Sequence, residues 1–279
     1  RMFLAPLYTQ MVAHSDVFGS AIGINMHSTD VDAFIEHITD SGSIEHFLEL
    51  DYKGFDTDMP YDVGLSIATL AFRVLNAFGY TRETWQYLRG ILTDDLCPVI
   101  AIMLDLILAM AFQASGKFGT AENNTLRGLF LIVYAWFTTM GSETEDAKKV
   151  FHALKMKIYG DDFVSGIRKS YLGRFNNIIY RDFCATHYGM TITSARKDGT
   201  MTECLTLDEI SFLKREFRFR DDFNHWVAPI DKTSIMKAIV YYLPSKEVSM
   251  EEQILESCVS AMRELFFHLS EVEFMKRRE

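Results

Sequence analysis

A chain of 279 residues, 48% hydrophobic and 24% charged, is long enough for one large or two modest domains with packed cores. It contains five prolines and no low-complexity tract, which excludes a disordered chain. Its formal net charge of −10 counts against a nucleic-acid binder, while leaving room for local basic patches. Cys97, Cys184, Cys204 and Cys258 are scattered, with no CxxC pair and no Cys/His cluster, so zinc is not indicated and a reducing compartment is expected. The chain starts at Arg1 with no signal peptide and reads as a piece of something longer. The most apolar run, Leu96 to Phe112, is interrupted by Asp105 and falls short of the about 20 residues of a membrane span, so it is expected as buried core.

From Arg1 to Asp40 no period is clear. Ile44 to Tyr52 reads as a strand carrying Asp51, and Lys53-Gly54-Phe55-Asp56 follows. Residues five apart on a continuous strand face opposite ways, but Gly54 can break the strand and let Asp51 and Asp56 face one cavity. Tyr61 to Phe78 and Arg82 to Leu92 space their apolar residues as helices. In the segment Gln113 to Thr125, Gly116 and Gly119 make a flexible loop that contains Ser115. It leads to Thr120, which suits the N-cap of a helix continuing to Thr139. Thr120 and Asn124 are i, i+4 neighbours on one face of that helix.

Glu145 to His152 reads as helix. Ala153 to Tyr159 and Phe163 to Ile167 read as strands around Tyr159-Gly160-Asp161-Asp162, which suits a tight hairpin turn. Such a tip projects two carboxylates from one sheet edge, where joint ionisation is disfavoured unless a cation neutralises it. Taken alone, the four residues are equally those of an ordinary Gly-Asp turn. Tyr171 to Tyr188 is expected as helix and Met190 to Thr193 as a short strand, before the polar loop Ser194 to Gly199 with Lys197. Glu209 to Arg220 interleaves Phe212, Leu213 and Phe217 with Lys214, Arg215, Arg218 and Arg220. This distinctly basic stretch suits phosphate contacts or a plain amphipathic hairpin. Lys232 to Tyr242 and Ser249 to Leu269 are helical in pattern, and Ser249 with Glu252 forms a capping box.

In their order these segments resemble the viral RNA-dependent RNA polymerases of the picorna-like group. Asp51 and Asp56 with four residues between them look like the family's first palm motif. Ser115-Gly116, Thr120 and Asn124 look like the second, and Tyr159-Gly160-Asp161-Asp162 like the third. Lys197 stands where the fourth motif has its lysine, after Gly189 to Thr193. Phe212-Leu213-Lys214-Arg215 looks like the fifth motif, and Arg1 like the last arginine of the upstream basic finger motif. The resemblance covers nearly the whole chain. Two local departures are Thr125, where many relatives have serine, and Asp58, an extra acid near the site; neither removes a catalytic group. The larger departure is that most of the fingers region, which is rich in basic residues, is missing upstream.

The resemblance implies an α+β right-hand palm: an antiparallel sheet backed by helices, with partial fingers and a helical thumb. Residues 1–43 are expected as a residual fingers segment, 44–221 as palm with a fingers-associated insertion near 96–113, and 222–279 as the start of the thumb. It implies nucleotidyl transfer from nucleoside triphosphates to an RNA 3′-hydroxyl, in viral genome replication, assisted by two Mg²⁺ ions with Mn²⁺ as a substitute. Asp51 and Asp161 would hold the metals, with Asp162 in support. Asp56, Thr120 and Asn124 would read the ribose, and Ser115 and Gly116 would form a mobile loop around template and nucleotide. Lys197 would protonate departing pyrophosphate. Lys214 and Arg215 would steady the primer, and Arg1 would contact triphosphate. Implied partners are RNA template and primer, nucleoside triphosphates, the missing N-terminal fingers and other viral replication proteins, at membrane-associated replication complexes in the host cytoplasm. Two alternatives are a reverse transcriptase palm, which the ribose-reading set argues against, and a non-catalytic RNA-binding palm relic, which the intact acids argue against.

Overall fold

The computed structural model describes residues 2–110, 117–195, 200–241, 245 and 247–278. The chain forms two compact units. One holds the residues up to Gly23 together with His37–Thr206; the other holds Ile24–Glu36 and Leu207–Glu279. The division at 206/207 lies ahead of the expected palm–thumb boundary at 221, and the second unit also takes in an early segment that sequence reading assigned to the fingers.

The first unit opens with α1 (Ala5–Ala13) and the short α2 (Ser15–Phe18). α3 (Asp30–Thr39) is divided between the units after Glu36. None of these three helices was expected, although Leu4, Leu7, Tyr8 and Met11, and again Val31, Phe34, Ile35 and Ile38, recur at helical spacing and are buried; sequence reading passed over that signal. Next come β1 (His46–Lys53), α4 (Tyr61–Ala77) and α5 (Arg82–Leu96), close to the expected spans. The segment expected as buried core behaves differently. β2 (Val99–Ile102) and β3 (Asp105–Leu108) make a hairpin of their own, in which Leu104 is 100% and Leu106 76% exposed. Hydropathy alone misassigned it, because an apolar run records what the segment can bury and not what lies against it.

α6 (Thr120–Met140) is the spine of this unit. Trp136, Leu131, Ile132 and Ala135 on its inner face are fully buried against β1, α4 and the strands that follow. A 3₁₀ turn (Ala147–Lys149) leads into α7 (Val150–Ala153), then β4 (Leu154–Tyr159) and β5 (Asp162–Ile167). α8 (Lys169–Leu172) is short. α9 (Asn177–Tyr188) starts afresh because the Asn176 side chain accepts the Ile179 amide at 3.0 Å as an N-cap, which divides the single helix expected over Tyr171–Tyr188. Gly189, at φ +67°, ends it in a left-handed cap before β6 (Thr191–Thr193).

The four strands form one antiparallel sheet in the order β4-β5-β1-β6. Leu48, Leu50 and Tyr52 of β1, Phe163 and Ile167 of β5, and Met156 and Ile158 of β4 face the helical layer of α6 and α9. Two-residue alternation thereby sends Asp51 to the side away from that core.

In the second unit β7 (Ser211–Phe212) and β8 (Arg215–Glu216) form one small hairpin, and β9 (Arg218–Arg220) with β10 (His225–Val227) another. Phe34 packs between Phe212 and Phe217, with ring centroids 5.3 and 5.0 Å away. Three helices follow: α10 (Lys232–Val240), α11 (Met250–His268) and α12 (Glu271–Arg278). The expected capping box is present at the start of α11, where Ser249 and Glu252 bond reciprocally. Among the described residues no helix is long and apolar enough to cross a membrane.

Candidate active site

The site is built where β1 ends beside the β4–β5 turn. In β1, Leu50 pairs with Phe163 of β5 and Asp51 with Thr193 of β6, so Asp51 sits in the middle of the sheet at its working edge. The strand stops at Lys53. Gly54 takes φ +70°, a conformation that side chains rarely adopt, and a Cβ there would stand 2.9 Å from Thr57 Oγ1. This break turns Asp56 towards α6, where Asn124 Nδ2 donates to Asp56 Oδ1 at 3.0 Å.

The hairpin register pairs Tyr159 with Asp162 and leaves Gly160-Asp161 as a two-residue loop. Of these two only Gly160 has positive φ, +64°, which is the signature of a type II′ turn. Asp161 and Asp162 are both exposed at the tip. Desolvation by the surrounding protein, then the charges of Asp56 and Asp51, push the Asp161 carboxyl above its ordinary value, while a bond to its own backbone amide opposes them. Asp51 and Asp56 therefore both lie within electrostatic reach of Asp161, although Asp161 comes from an element more than a hundred residues further along the chain.

Among the described residues no three His, Cys, Asp or Glu side chains stand close enough to enclose a metal. A cation bound here would take only part of its shell from these described side chains. That fits Mg²⁺, which prefers hard oxygen donors and keeps waters and substrate phosphates around one or two carboxylates. The raised Asp161 carboxyl reflects burial together with the nearby charges of Asp56 and Asp51.

Asn124 is buried, and while its amide nitrogen is engaged by Asp56, its Oδ1 has no hydrogen-bond partner among the described residues. A buried acceptor left open is costly unless a ligand or water supplies the donor. Thr120, one helical turn earlier, is the first residue of α6 and not its cap. Gly119 holds the cap position at φ +80° with no side-chain bond, and Thr120 Oγ1 donates to the Lys117 carbonyl at 2.8 Å. Only glycine fits at 119, because a Cβ would meet the Tyr8 ring at 2.3 Å.

Lys214 and Arg215, paired in sequence, go different ways. Leu213 and Lys214 form the β7–β8 turn with φ +55° and +60°, left-handed values that neither residue type favours, and Lys214 is exposed there. Arg215 is buried, and its guanidinium donates to the Ala228 carbonyl at 2.7 Å and to both oxygens of Glu264 at 2.6 and 2.9 Å. Its expected place on the primer is corrected accordingly: the group is committed to an internal ion pair. Arg1, Ser115, Gly116 and Lys197 lie outside the described residues.

Two residues in α6 escaped sequence reading. Thr125, noticed only as a departure, accepts the Gly160 amide in the interior. Arg127 is buried, with Nε and Nη1 unpartnered among the described residues. Burial lowers its pKa, against the attraction of Asp95, Asp56 and Tyr8. A lone arginine in the otherwise apolar Leu126–Val133 run was the available signal.

The family profile described as viral RNA-dependent RNA polymerase matches residues 1–277. Among proteins similar in sequence is the RNA1 polyprotein of Andean potato mottle virus, 25% identical over 264 residues, which cover 92% of this chain and 35% of that protein. The genome polyprotein of rice tungro spherical virus (strain A) is 27% identical over 264 residues, 89% of this chain and 7% of its own length. The replicase polyprotein of Drosophila C virus (strain EB) is 24% identical over 267 residues, 92% of this chain and 15% of its own length. The chain thus spans about a third or less of these relatives. Among solved structures, the Sicinivirus 3Dpol RNA dependent RNA polymerase superposes with a TM-score of 0.67 at 16% identity, over 96% of this chain and 56% of that one, so the two share a fold.

Proposed function

Because the chain belongs to the viral RNA-dependent RNA polymerase family, we propose that it carries the palm active site for template-directed RNA synthesis in viral genome replication. The observation that carries this reading is the Asn124–Asp56 pair beside the acidic edge. It offers one buried acceptor, open among the described residues, held by Asp56, whose charge with that of Asp51 opposes ionisation of Asp161.

In this reading Asp51 and Asp161 hold two Mg²⁺ ions, with Asp162 in support. Ions held there would supply activation of the primer 3′-hydroxyl and stabilisation of charge on the leaving pyrophosphate. The Asn124 Oδ1 accepts a hydrogen bond from a hydroxyl of the incoming ribose, and Asp56 fixes the amide so that its oxygen, not its nitrogen, is presented. Thr120 lies on the same face one turn earlier and borders the sugar. Lys214, exposed on its strained turn, contacts the primer backbone as a point charge. Roles for Lys197 as proton donor, Ser115 and Gly116 as nucleotide loop and Arg1 at the triphosphate rest on the resemblance. The relatives are parts of polyproteins, which supports a setting among other viral replication proteins. Membrane-associated complexes in the host cytoplasm are part of this reading on the resemblance alone.

A site made to accept a sugar hydroxyl rejects the analogue lacking it, because its own polar atoms then stay unpaired. That disfavours the reverse transcriptase alternative. The test is Asn124→Asp in the natural translation product containing this chain, with single-nucleotide incorporation measured for ribo- and deoxyribonucleotides. A second carboxylate against Asp56 disturbs the pair, and the ratio of the two kcat/KM values should fall about tenfold, the worth of one hydrogen bond. An unchanged ratio removes Asn124 from the sugar site.

A further inference from the structure

The turn bearing Asp161 is anchored from outside its own sheet. Gly160 occupies the first central position of the two-residue loop, where the β4–β5 ladder provides no acceptor for its amide. That amide donates to Thr125 Oγ1 at 3.0 Å, and Thr125 is fully buried. One turn further along α6, Gly128 brings the helix close to the same strand end: a Cβ there would lie 3.4 Å from Ile158 Cγ2 and 3.8 Å from the Gly160 carbonyl. Residues three apart share a helix face, so Thr125 supplies the bond and Gly128 the clearance. Next to Thr125, Asn124 reaches Asp56. Two successive residues of one rigid helix thereby tie down both the chain leaving β1 and the turn between β4 and β5.

We propose that Thr125 is a positioning residue for nucleotidyl transfer, its hydroxyl oxygen fixing the Gly160 amide and hence the direction in which Asp161 leaves the turn. The inference rests on the polymerase reading above and deepens it. Without the bond the hairpin still pairs, but the Tyr159–Gly160 peptide plane, one residue ahead of Asp161, is free to rotate. The carboxylate then loses its fixed relation to Asp51 and to the Asn124–Asp56 pair. Catalytic groups must be held to about 0.5 Å, and a misplacement of about 1 Å can cost 10²-fold in rate.

The test compares Thr125→Ser, Thr125→Val and Thr125→Cys in the natural translation product containing this chain. Serine keeps the oxygen, valine keeps the shape without it, and cysteine keeps the size of serine with a poor acceptor. Primer extension in Mg²⁺ should show kcat within a few-fold of the parent for serine. For valine and cysteine it should fall by roughly 10- to 100-fold, with KM for the nucleotide little changed. The second readout needs no turnover: Tb³⁺ luminescence, titrated as a stand-in for the divalent ion, should give a weaker midpoint for cysteine than for serine at equal melting temperature. A residue with only a packing role lowers the melting temperature and leaves the midpoint alone. Equal kcat and equal Tb³⁺ midpoints for folded serine and cysteine variants overturn the proposal. A parent protein that fails to extend any RNA primer overturns the polymerase reading instead, and the Tb³⁺ comparison still decides the role of Thr125. If valine does not fold, the serine–cysteine pair carries the comparison.

Discussion

Asp161 is held in a less favourable charge state than a free aspartate, because desolvation and the neighbouring Asp56 and Asp51 all oppose its ionisation. The sign of the linkage follows. With the folded pKa above the ordinary 3.8, the folded state binds the proton more tightly than the unfolded chain, so stability falls as pH rises through that window and stays reduced at neutrality. Asp161→Asn should therefore raise the melting temperature of metal-free protein at pH 7 while abolishing RNA synthesis. The gain should shrink as the pH is lowered towards 4, and millimolar Mg²⁺ should narrow it by stabilising the parent. Melting curves with and without chelator measure this. A variant that melts below the parent at pH 7 without metal would mean that the acids are not in conflict.

At the scale of elements, two close contacts define what the chain tolerates. β5 passes so near the end of α3 that a Cβ on Gly166 would lie 1.9 Å from the Ile38 carbonyl oxygen and 3.0 Å from Ile44 Cγ2. Neither the backbone oxygen nor the buried strand can yield cheaply. Gly166→Ala should destabilise by about 3 kcal/mol or more, read from urea unfolding, with no change in which residues form the site. In the second unit, β8 and α11 are joined by Arg215 and Glu264, whose side chains are only 10% and 16% exposed. Burial by itself raises the Glu264 carboxyl. The bonds from Arg215 and His27 outweigh it and leave the group below its ordinary value. A depressed acid contributes stability above the ordinary 4.5 and loses it as pH falls through the folded value. Glu264→Gln strands a buried guanidinium and should cost about 3 kcal/mol at pH 7, the low end for a broken buried pair. The deficit relative to the parent should close as the parent is acidified below pH 4.5. An equal deficit at both pH values would show that shape, not charge, holds this joint.

At the scale of the whole molecule, charge and coverage bear on activity together. The chain carries a net charge of −10 and corresponds to 56% of the length of the solved polymerase it resembles. Template affinity comes largely from counter-ion release by lysines and arginines, which this chain has in deficit. The isolated 279 residues should extend a primer poorly, and much less well than the natural translation product containing them, with the gap widening from low to physiological salt. Robust extension by the isolated chain at physiological salt would locate the RNA contacts within these residues after all.

The sequence by itself determined the local grammar. Strands on either side of Tyr159-Gly160-Asp161-Asp162, the long helix after Gly119, the capping box at Ser249 and the break at Gly54 follow from two-residue alternation, helical spacing and turn chemistry, all set within a few neighbours. The order of the motifs was equally legible, because order is a property of the chain. Tertiary structure alone decided which groups meet. Asn124 finds Asp56 across 68 positions and Thr125 finds Gly160 across 35, distances at which no periodicity operates. It also decided facing: Arg215 turns inward to Glu264 while Lys214 stays out, though both are equally basic as letters. And it left Val99–Leu108 uncovered, since an apolar side chain is buried only when another surface packs on it, and that surface is not written in the run itself.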